Sequence, residues 1–258
     1  MKTLKIIAIS DTHNYLYPLD KLPEADVFIH AGDSCTAGTT DELIRFSHWL
    51  DKVAARYKHV IYMPGNHDRA FDGSDGNRTA RSILTSAHDN IHVLINEELT
   101  IENCRFFGSP VTPPVGKPWY YYYSPNNREA IWEQMAYMHT LSPIDVLVTH
   151  GPPYRVGDKL GARFGAGRWP FVGCKDLRQY VERVNPAVHI FGHVHEAYGC
   201  YGPGDHDVKK ADDSLVRTMF VNASIRDDYY IVANKAWLIT LEQLGNSWEF
   251  VEIEAVDG

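Results

Sequence analysis

Five short polar clusters carry the side chains that could do chemistry. In chain order they are Asp11-Thr12-His13, Gly32-Asp33, Gly65-Asn66-His67-Asp68, His150-Gly151 and Gly192-His193-Val194-His195. Each alone is a weak signal, because a single histidine at a strand end is more often a hydrogen-bonded structural residue than a ligand. Together they supply carboxylates, one carboxamide and imidazoles, with no thiolate among them. That donor set suits Mn, Fe, Zn or Ni better than Ca or Mg alone. Two such ions about 3.5–4 Å apart clamp the attacking and leaving oxygens of a phosphoryl displacement, provided a carboxylate bridges them. A neutral Asn fits where one more carboxylate would overcompensate the charge. Glycines beside the clusters, at 32, 65, 151 and 192, permit tight turns and close backbone approach.

The elements that must position these clusters repeat one phrase. A short apolar run ends and a polar cluster follows at once: Lys5–Ser10 before Asp11, Val27–Ala31 before Gly32, Val60–Pro64 before Gly65, Val146–Thr149 before His150, and Val188–Phe191 before Gly192. Continuous apolar runs of this length read as strands covered on both faces. Parallel neighbours would bring their ends to one rim. Helical patterns lie between them. Thr39 to Tyr57 places Leu43, Phe46, Leu50, Val53 and Tyr57 on one face, with Thr39 and Glu42 spaced as a capping box. Asn126 to His139 carries Ile131, Met135 and Met138, and Gly173 to Val184 carries Leu177, Val181 and Val184. Further strand-like runs are Ile91–Ile95, Leu99–Phe107, Arg217–Asn222, Ala236–Thr240 and Trp248–Ile253, the last few read as antiparallel. The expected fold is α/β, two mixed sheets packed face to face with flanking helices, a four-layer α/β/β/α sandwich. No linker divides the chain, so residues 1–258 read as one domain.

Composition narrows the function. A chain of 258 residues can bury roughly 70–75% of its unfolded surface, so a metal serves chemistry before stability. The formal net charge is −8 and no basic stripe appears, which argues against binding long nucleic acid and against a nuclease. Cys35, Cys104, Cys174 and Cys200 form no Cys-x-x-Cys pair and read as free thiols, which points to a cytoplasmic protein. No apolar stretch is long enough to span a membrane.

The ordered set Asp11-x-His13, Gly32-Asp33, Gly65-Asn66-His67-Asp68, His150 and Gly192-His193-x-His195 resembles the calcineurin-like metallophosphoesterase superfamily. More narrowly, "THGPP" at 149–153, "FGHVHEAYG" at 191–199 and "FVNAS" at 220–224 resemble its metallophosphoesterase-domain-containing subfamily, which includes cyclic-nucleotide phosphodiesterases. The resemblance implies two divalent ions, Mn favoured in vitro. Asp11, His13, Asp33 and His195 would hold one. Asp33, Asn66, His150 and His193 would hold the other, with Asp33 bridging. His67 would stabilise charge or protonate the leaving oxygen, a task suited to imidazole. Asp68 would orient His67. The segment after Asp33, Ser34-Cys35, departs from many relatives but touches no implied ligand. In an extended Gly-His-x-His segment, His193 and His195 would face one side and Val194 the interior.

The remaining expectations concern substrate and partners. Arg155, Arg163 and Arg168 lie in a glycine-rich segment after His150, where arginine would bind a phosphate oxygen; a solvated loop is the equal alternative. Tyr120, in the run Trp119–Tyr123, would offer a stacking face for a nucleobase, or else pack in a loop or a subunit contact. His30 and His189 sit inside apolar runs and read as satisfied core histidines. The function expected is hydrolysis of small, cyclic-nucleotide-like phosphodiesters by a metal-bridging hydroxide. The alternatives are a nucleotide or protein phosphomonoesterase, and a non-catalytic metal- or nucleotide-binding scaffold. The partner is a small phosphoester, with a homodimer left open.

Overall fold

The computed structural model describes residues 2–113, 121, 125–161, 171–209 and 213–258. Its elements in chain order are β1 (Thr3–Ile9), β2 (Val27–His30), α1 (Thr40–Ala54), β3 (His59–Tyr62), α2 (Gly73–Thr85), β4 (Ile91–Val93), β5 (Glu97–Ile101), β6 (Cys104–Ser109), α3 (Pro125–Leu141), β7 (Val146–Thr149), α4 (Lys175–Val184), β8 (Val188–Phe191), β9 (Gly199–Tyr201), β10 (Met219–Asn222), β11 (Ala236–Leu244) and β12 (Ser247–Val256). Among the described residues they form two six-stranded sheets, ordered β12-β11-β1-β2-β3-β4 and β5-β6-β7-β8-β10-β9.

Alternation along the buried strands builds four layers. Leu4, Ile6 and Ala8 of β1 face the second sheet and pack with Phe106, Val146, Val148, Val188 and Ile190. Ile7 and Ile9 point the other way, onto Phe46, Leu50, Val53 and Leu84 of α1 and α2. The outer face of the second sheet, with Phe107, Leu147, Phe191 and Phe220, meets Trp132 and Ala136 of α3 and Leu177, Tyr180 and Val181 of α4. Burying each such side chain contributes roughly 1.5–3 kcal/mol. Asp145 ties the layers together: its carboxylate accepts from Arg105 N at 2.9 Å on one sheet and from Trp248 N at 3.1 Å on the other.

Several elements differ from the sequence expectation. The run Leu99–Phe107 is a hairpin, because Glu102 and Asn103 both take left-handed conformations and turn the chain between β5 and β6. Strand β10 pairs in parallel with β8, whereas β11 and β12 are antiparallel as expected. Helix α3 buries Trp132, Ala136 and His139 rather than Met138, which is exposed. Helix α2 carries two glycines and a polar first turn, which hid its Ala80 and Leu84 face. The capping box at α1 is present: Glu42 N donates to Thr39 Oγ1 at 3.3 Å, and Thr39 N donates back to Glu42 Oε2 at 3.0 Å.

Strands β1, β2 and β3 run parallel in one sheet, and β7, β8 and β10 run parallel in the other. The carboxyl ends of these strands carry the five polar clusters.

Candidate metal centre

The loops continue the strand pairing past the strand ends. Asp11 N donates to Gly32 O at 2.9 Å, His13 N to Asp33 O at 2.9 Å, and Asn14 N to Ser34 O at 2.8 Å. In the second sheet Gly192 N donates to His150 O, and across the sheets Ser10 N donates to Ala223 O. This ladder brings Asp11, His13, Asp33, Asn66, His67, His150, His193 and His195 together. Three overlapping groups each place one ligand atom per residue within 4.8 Å of the others: Asp11, His13 and His195; His13, Asp33 and His67; and Asp33, His150 and His193.

The distances put Asp33 in the middle. Its Oδ2 lies 3.3 Å from His150 Nε2 and 3.7 Å from His13 Nε2. Its Oδ1 accepts from His67 N at 2.8 Å, which fixes the carboxylate plane. Asn66 Oδ1 stands 2.9 Å from His150 Nε2, and Asp11 Oδ1 stands 3.3 Å from His195 Nε2. Among these groups, Asp11, His13, Asp33, Asn66, His150 and His195 are buried.

The geometry fits divalent cations on three grounds. First, backbone carbonyls set the tautomers. His13 Nδ1 donates to Cys35 O, His150 Nδ1 to Ala31 O and His195 Nδ1 to Asp227 O, each at 3.1 Å. Each Nε2 lone pair is then turned to the shared centre, as metal-bound imidazoles require. Second, the glycines leave room that a side chain would fill. A Cβ at Gly192 would sit 2.1 Å from Asp11 Oδ2, and one at Gly65 would sit 2.2 Å from Asp33 Oδ1. Third, Asp11, His13, Asp33 and His193 all hold φ between 43° and 69°. Non-glycine residues keep that conformation only where the surroundings impose it, and such strain gathers at functional sites.

Charge tells the same story. Burial pushes the Asp33 carboxyl up, but the His150 imidazole, then His67 and His13, hold it well below the usual carboxylate range. Burial opposes a charge on His150, yet Asp33 raises its pKa to about 9. Burial likewise raises Asp11, but the His195 bond and the charges of His195 and His150 together outweigh it and hold the carboxyl low. Burial lowers His13 to about 4 against the pull of Asp33 and Asp11. Two buried carboxylates thus rely on protons shared with imidazoles, positive charge that a cation would replace.

The turn at 192–195 is not the extended segment expected. His193 is left-handed and His195 opens a short 3-10 turn, His195–Ala197. The two imidazoles therefore part, His193 toward Asp33 and His150, His195 toward Asp11 and His13, while Val194 is buried as expected.

Asp68 also differs from expectation. Its Oδ2 accepts from Gly65 N at 2.7 Å and Asp33 N at 2.9 Å, and its Oδ1 accepts from Cys35 N and Ser34 Oγ, each at 2.9 Å. The carboxylate is engaged in binding the two ligand loops to each other. The His67 ring is oriented instead by Thr36, whose carbonyl accepts from Nδ1 at 2.6 Å.

Arg155 is not directed at a phosphate site. Its backbone is left-handed, with N held by Asp158 Oδ2 at 2.9 Å, which sends the guanidinium over the rings of Tyr154 and Phe171 and to within 4.0 Å of Asp207. Arg163, Arg168 and Tyr120 lie outside the described residues. His30 is satisfied on both nitrogens, by Gly32 N and Thr12 Oγ1, and so buttresses the ligand loops. His189 bonds Thr149 Oγ1 at 2.7 Å, while its Nδ1 has no hydrogen-bond partner.

Sequence reasoning missed the segment Arg226–Ile231. Arg226 donates to Thr12 O from Nε at 3.0 Å and from Nη2 at 2.8 Å, and to His13 O from Nη2 at 3.2 Å. The Tyr230 ring lies 5.1 Å from His13 and 4.8 Å from His195, centroid to centroid. The available signal was Asp227-Asp228 just after the Ile225 end of an apolar run, a turn placed where the other polar clusters stand.

Fold and candidate ligand clusters together match the class of metal-dependent phosphoesterases. The chain belongs to the calcineurin-like phosphoesterase family, whose model matches residues 4–197. It is 37% identical over 231 residues to UPF0046 protein K07C11.7 of Caenorhabditis elegans, covering 86% of this chain and 69% of that one. It is 30% identical over 269 residues to human metallophosphoesterase domain-containing protein 1, covering 94% of this chain and 72% of that protein. The structure resembles TT1561 of Thermus thermophilus, with a TM-score of 0.60 and 12% identity over 97% of this chain and 99% of that chain, a likeness of fold.

Proposed function

We propose that this protein is a binuclear metal-dependent phosphodiesterase acting on small phosphodiesters, of which cyclic nucleotides are one class. The observation that carries the reading is the overlap of the ligand groups on Asp33 and His13. One isolated ion needs a single group; overlapping groups around one buried carboxylate suit a pair. Asp11, His13 and His195 would hold one ion, and Asn66, His150 and His193 the other, with Asp33 between them. Mn, Fe, Zn and Ni all suit these donors. When bound, the ions supply Lewis-acid polarisation of the phosphoryl oxygens and activation of water.

The chain's own groups do the rest. Glycines at 32, 65 and 192 let backbone and carboxylates close on the site. His67, with Nδ1–H held by the Thr36 carbonyl and its ring 4.9 Å from that of His13, would act on an ester oxygen through Nε2. In its protonated form Nε2–H is the group that delivers a proton to the departing oxygen. Asp68 and Arg226 are positioning residues, the first holding loops 33–35 and 65 together, the second anchoring Thr12 and His13. The small-substrate reading is supported by the net charge of −8, which disfavours polyanionic substrates.

The test is a direct assay. Metal-free protein reconstituted with Mn²⁺ is given bis(p-nitrophenyl) phosphate and p-nitrophenyl phosphate, beside His67→Ala and Asp33→Ala variants. The proposal expects metal-dependent cleavage favouring the diester and lost in both variants. Preference for the monoester would make this a phosphomonoesterase. No turnover of either ester with Mn, Fe, Co, Ni or Zn would overturn the enzymatic reading in favour of a binding scaffold.

A further inference from the structure

Strand β12 is ten residues long and closes one side of the first sheet, with β11 as its neighbour. Its outer edge carries main-chain N–H and C=O groups. Trp248 N is met there by Asp145 Oδ1, and no described residue meets the edge beyond it. Such an edge invites another strand unless it is short, covered or charged. This one is charged with a single sign.

The two faces of β12 differ. Phe250 and Ile253 turn to the second sheet and pack against its core, each half-buried. Alternation puts Glu249, Glu252 and Glu254 on the opposite face, all exposed, with Glu249 directly across from Glu242 of β11. None of these four carboxylates is in an ion pair or hydrogen bond with another described residue. Like charges set opposite each other in a sheet cost stability, and no described cation offsets them here. The pairing with β11 skips Val251, which is exposed, and so divides the edge into Ser247–Phe250 and Glu252–Val256.

A cavity of about 480 Å³ adjoins the first part of the edge. It lies at the amino ends of β7, β8 and β10, the far end of the sandwich from the candidate metal centre. Pro143, Pro186, Met219, Trp248 and Phe250 give it apolar walls, and Arg217 gives it one positive wall. A second copy of this chain is a poor occupant, because two β12 strands side by side would juxtapose their glutamate rows on chains of net charge −8. An extended segment of opposite charge suits every feature. Its main chain would pair with the edge, most regularly along Glu252–Val256. Its side chains would alternate with period two, one set beside the glutamates and the other toward Phe250 and the cavity. Arg217 disfavours a basic side chain in the cavity, so the basic set faces the glutamates and the apolar set faces inward.

We propose that β12 is a docking edge for a partner protein, which adds a segment of alternating basic and apolar residues as a seventh strand of the first sheet. Main-chain hydrogen bonds supply affinity in such strand addition, and the glutamate row and the cavity supply specificity.

The probe is a capped peptide of four Lys-Val repeats, titrated calorimetrically into the full chain, with amide hydrogen exchange read by mass spectrometry. Saturable binding is expected, with exchange slowed within residues 249–256. A peptide of four Glu-Val repeats is expected not to bind. Glu252→Lys combined with Glu254→Lys should weaken binding about tenfold, because two attractions become repulsions, with an unchanged melting temperature reporting an intact fold. Four Lys-Ser repeats should bind about tenfold more weakly than Lys-Val, since no apolar side chain is buried. Of two N-methylated Lys-Val peptides, one modified at every lysine and one at every valine, at least one should not bind, because a strand offers its donors to a given neighbour from alternate residues. No binding of the Lys-Val peptide overturns the proposal, as does equal binding of Lys-Ser, an unchanged affinity in the double variant, or full binding of both N-methylated forms. Protection that falls on the loops at 11–13, 33 and 193–195 instead of β12 also overturns it, and would make the peptide a ligand of the carboxylates at the candidate metal centre.

Discussion

Replacing Gly192 by alanine is a one-atom perturbation of the candidate centre. The added Cβ would stand 2.1 Å from both Asp11 Oδ2 and Ser10 Oγ, where ordinary contact begins at 3.4 Å. The backbone there is not left-handed, so alanine brings no conformational strain of its own and the effect is steric. Either the Asp11 carboxylate or the 192–193 backbone must yield by about 1.3 Å, several times the ~0.2 Å tolerance of metal–ligand distances. Both routes move ligands, because His193 N donates to Asp11 Oδ2 at 2.9 Å. Disturbing groups that merely support ligands lowers metal affinity about 10–100-fold, so moving ligands themselves should cost at least about 100-fold. The assay is a calorimetric Mn²⁺ titration paired with a thermal melt. Gly245→Ala is the control: it sits at φ +65° in open space, so it should lower stability by about 1 kcal/mol and leave Mn²⁺ affinity unchanged. If Gly192→Ala binds Mn²⁺ within about threefold of wild type, Asp11 is not a ligand and the steric reasoning fails.

Other perturbations read other parts of the molecule. Arg226→Ala releases the Thr12 and His13 carbonyls and should weaken Mn²⁺ binding about tenfold, with Arg226→Lys intermediate, read by the same titration. Asp68→Asn replaces an acceptor facing several donors with an amide that presents N–H to some of them; it should lower unfolding free energy by about 3 kcal/mol in denaturant melts, and a change confined to the pH profile of turnover would restore Asp68 as the partner of His67. Asp145→Asn leaves Arg105 N or Trp248 N buried without an acceptor and should cost about 1–3 kcal/mol, seen as a lower denaturation midpoint. Burial holds His189 down to about 3, below its unfolded value of about 6.5, so the unfolded chain binds the extra proton between those values. Stability is therefore full above about pH 6.5 and is lost as pH falls toward about 3. His189→Gln, which keeps a donor for Thr149, should shallow that loss by about 1.4 kcal/mol per pH unit between about pH 4.5 and 5.5, and an unchanged slope in urea melts would show that His189 does not titrate in the transition.

How much of this was legible in the sequence depends on whether the signal was local. Strands β1, β2, β3, β7 and β8 are buried on both faces, so their apolar runs stand out, and each ends where its cluster begins. Helix α1 announced itself through Thr39 and Glu42 because a capping box is read within four residues. Helix α2 stayed hidden because its stability comes from Ala80 and Leu84 packing on the first sheet, against the propensity of its glycines. The hairpin between β5 and β6 was hidden because Glu102-Asn103 lacks the glycine that usually marks such a turn. In the centre, residue types and order pointed to the ligands, whereas orientation did not follow. Asp68 turns to the donors of the 33–35 and 65 loops, Thr36 replaces it at His67, and Arg155 goes to Asp207, each settled by contacts remote in sequence. Arg226 and Tyr230 act across more than 200 residues on His13, and no local pattern encodes that reach.

The most direct test of the account is to locate and count the ions. Crystals of the protein reconstituted with Mn²⁺, measured with anomalous scattering at the Mn edge, should show two peaks per chain. One should be held by Asp11, His13 and His195, the other by Asn66, His150 and His193, with Asp33 touching both. A single peak, or ions bound away from Asp33, would contradict the binuclear centre on which the proposed chemistry depends.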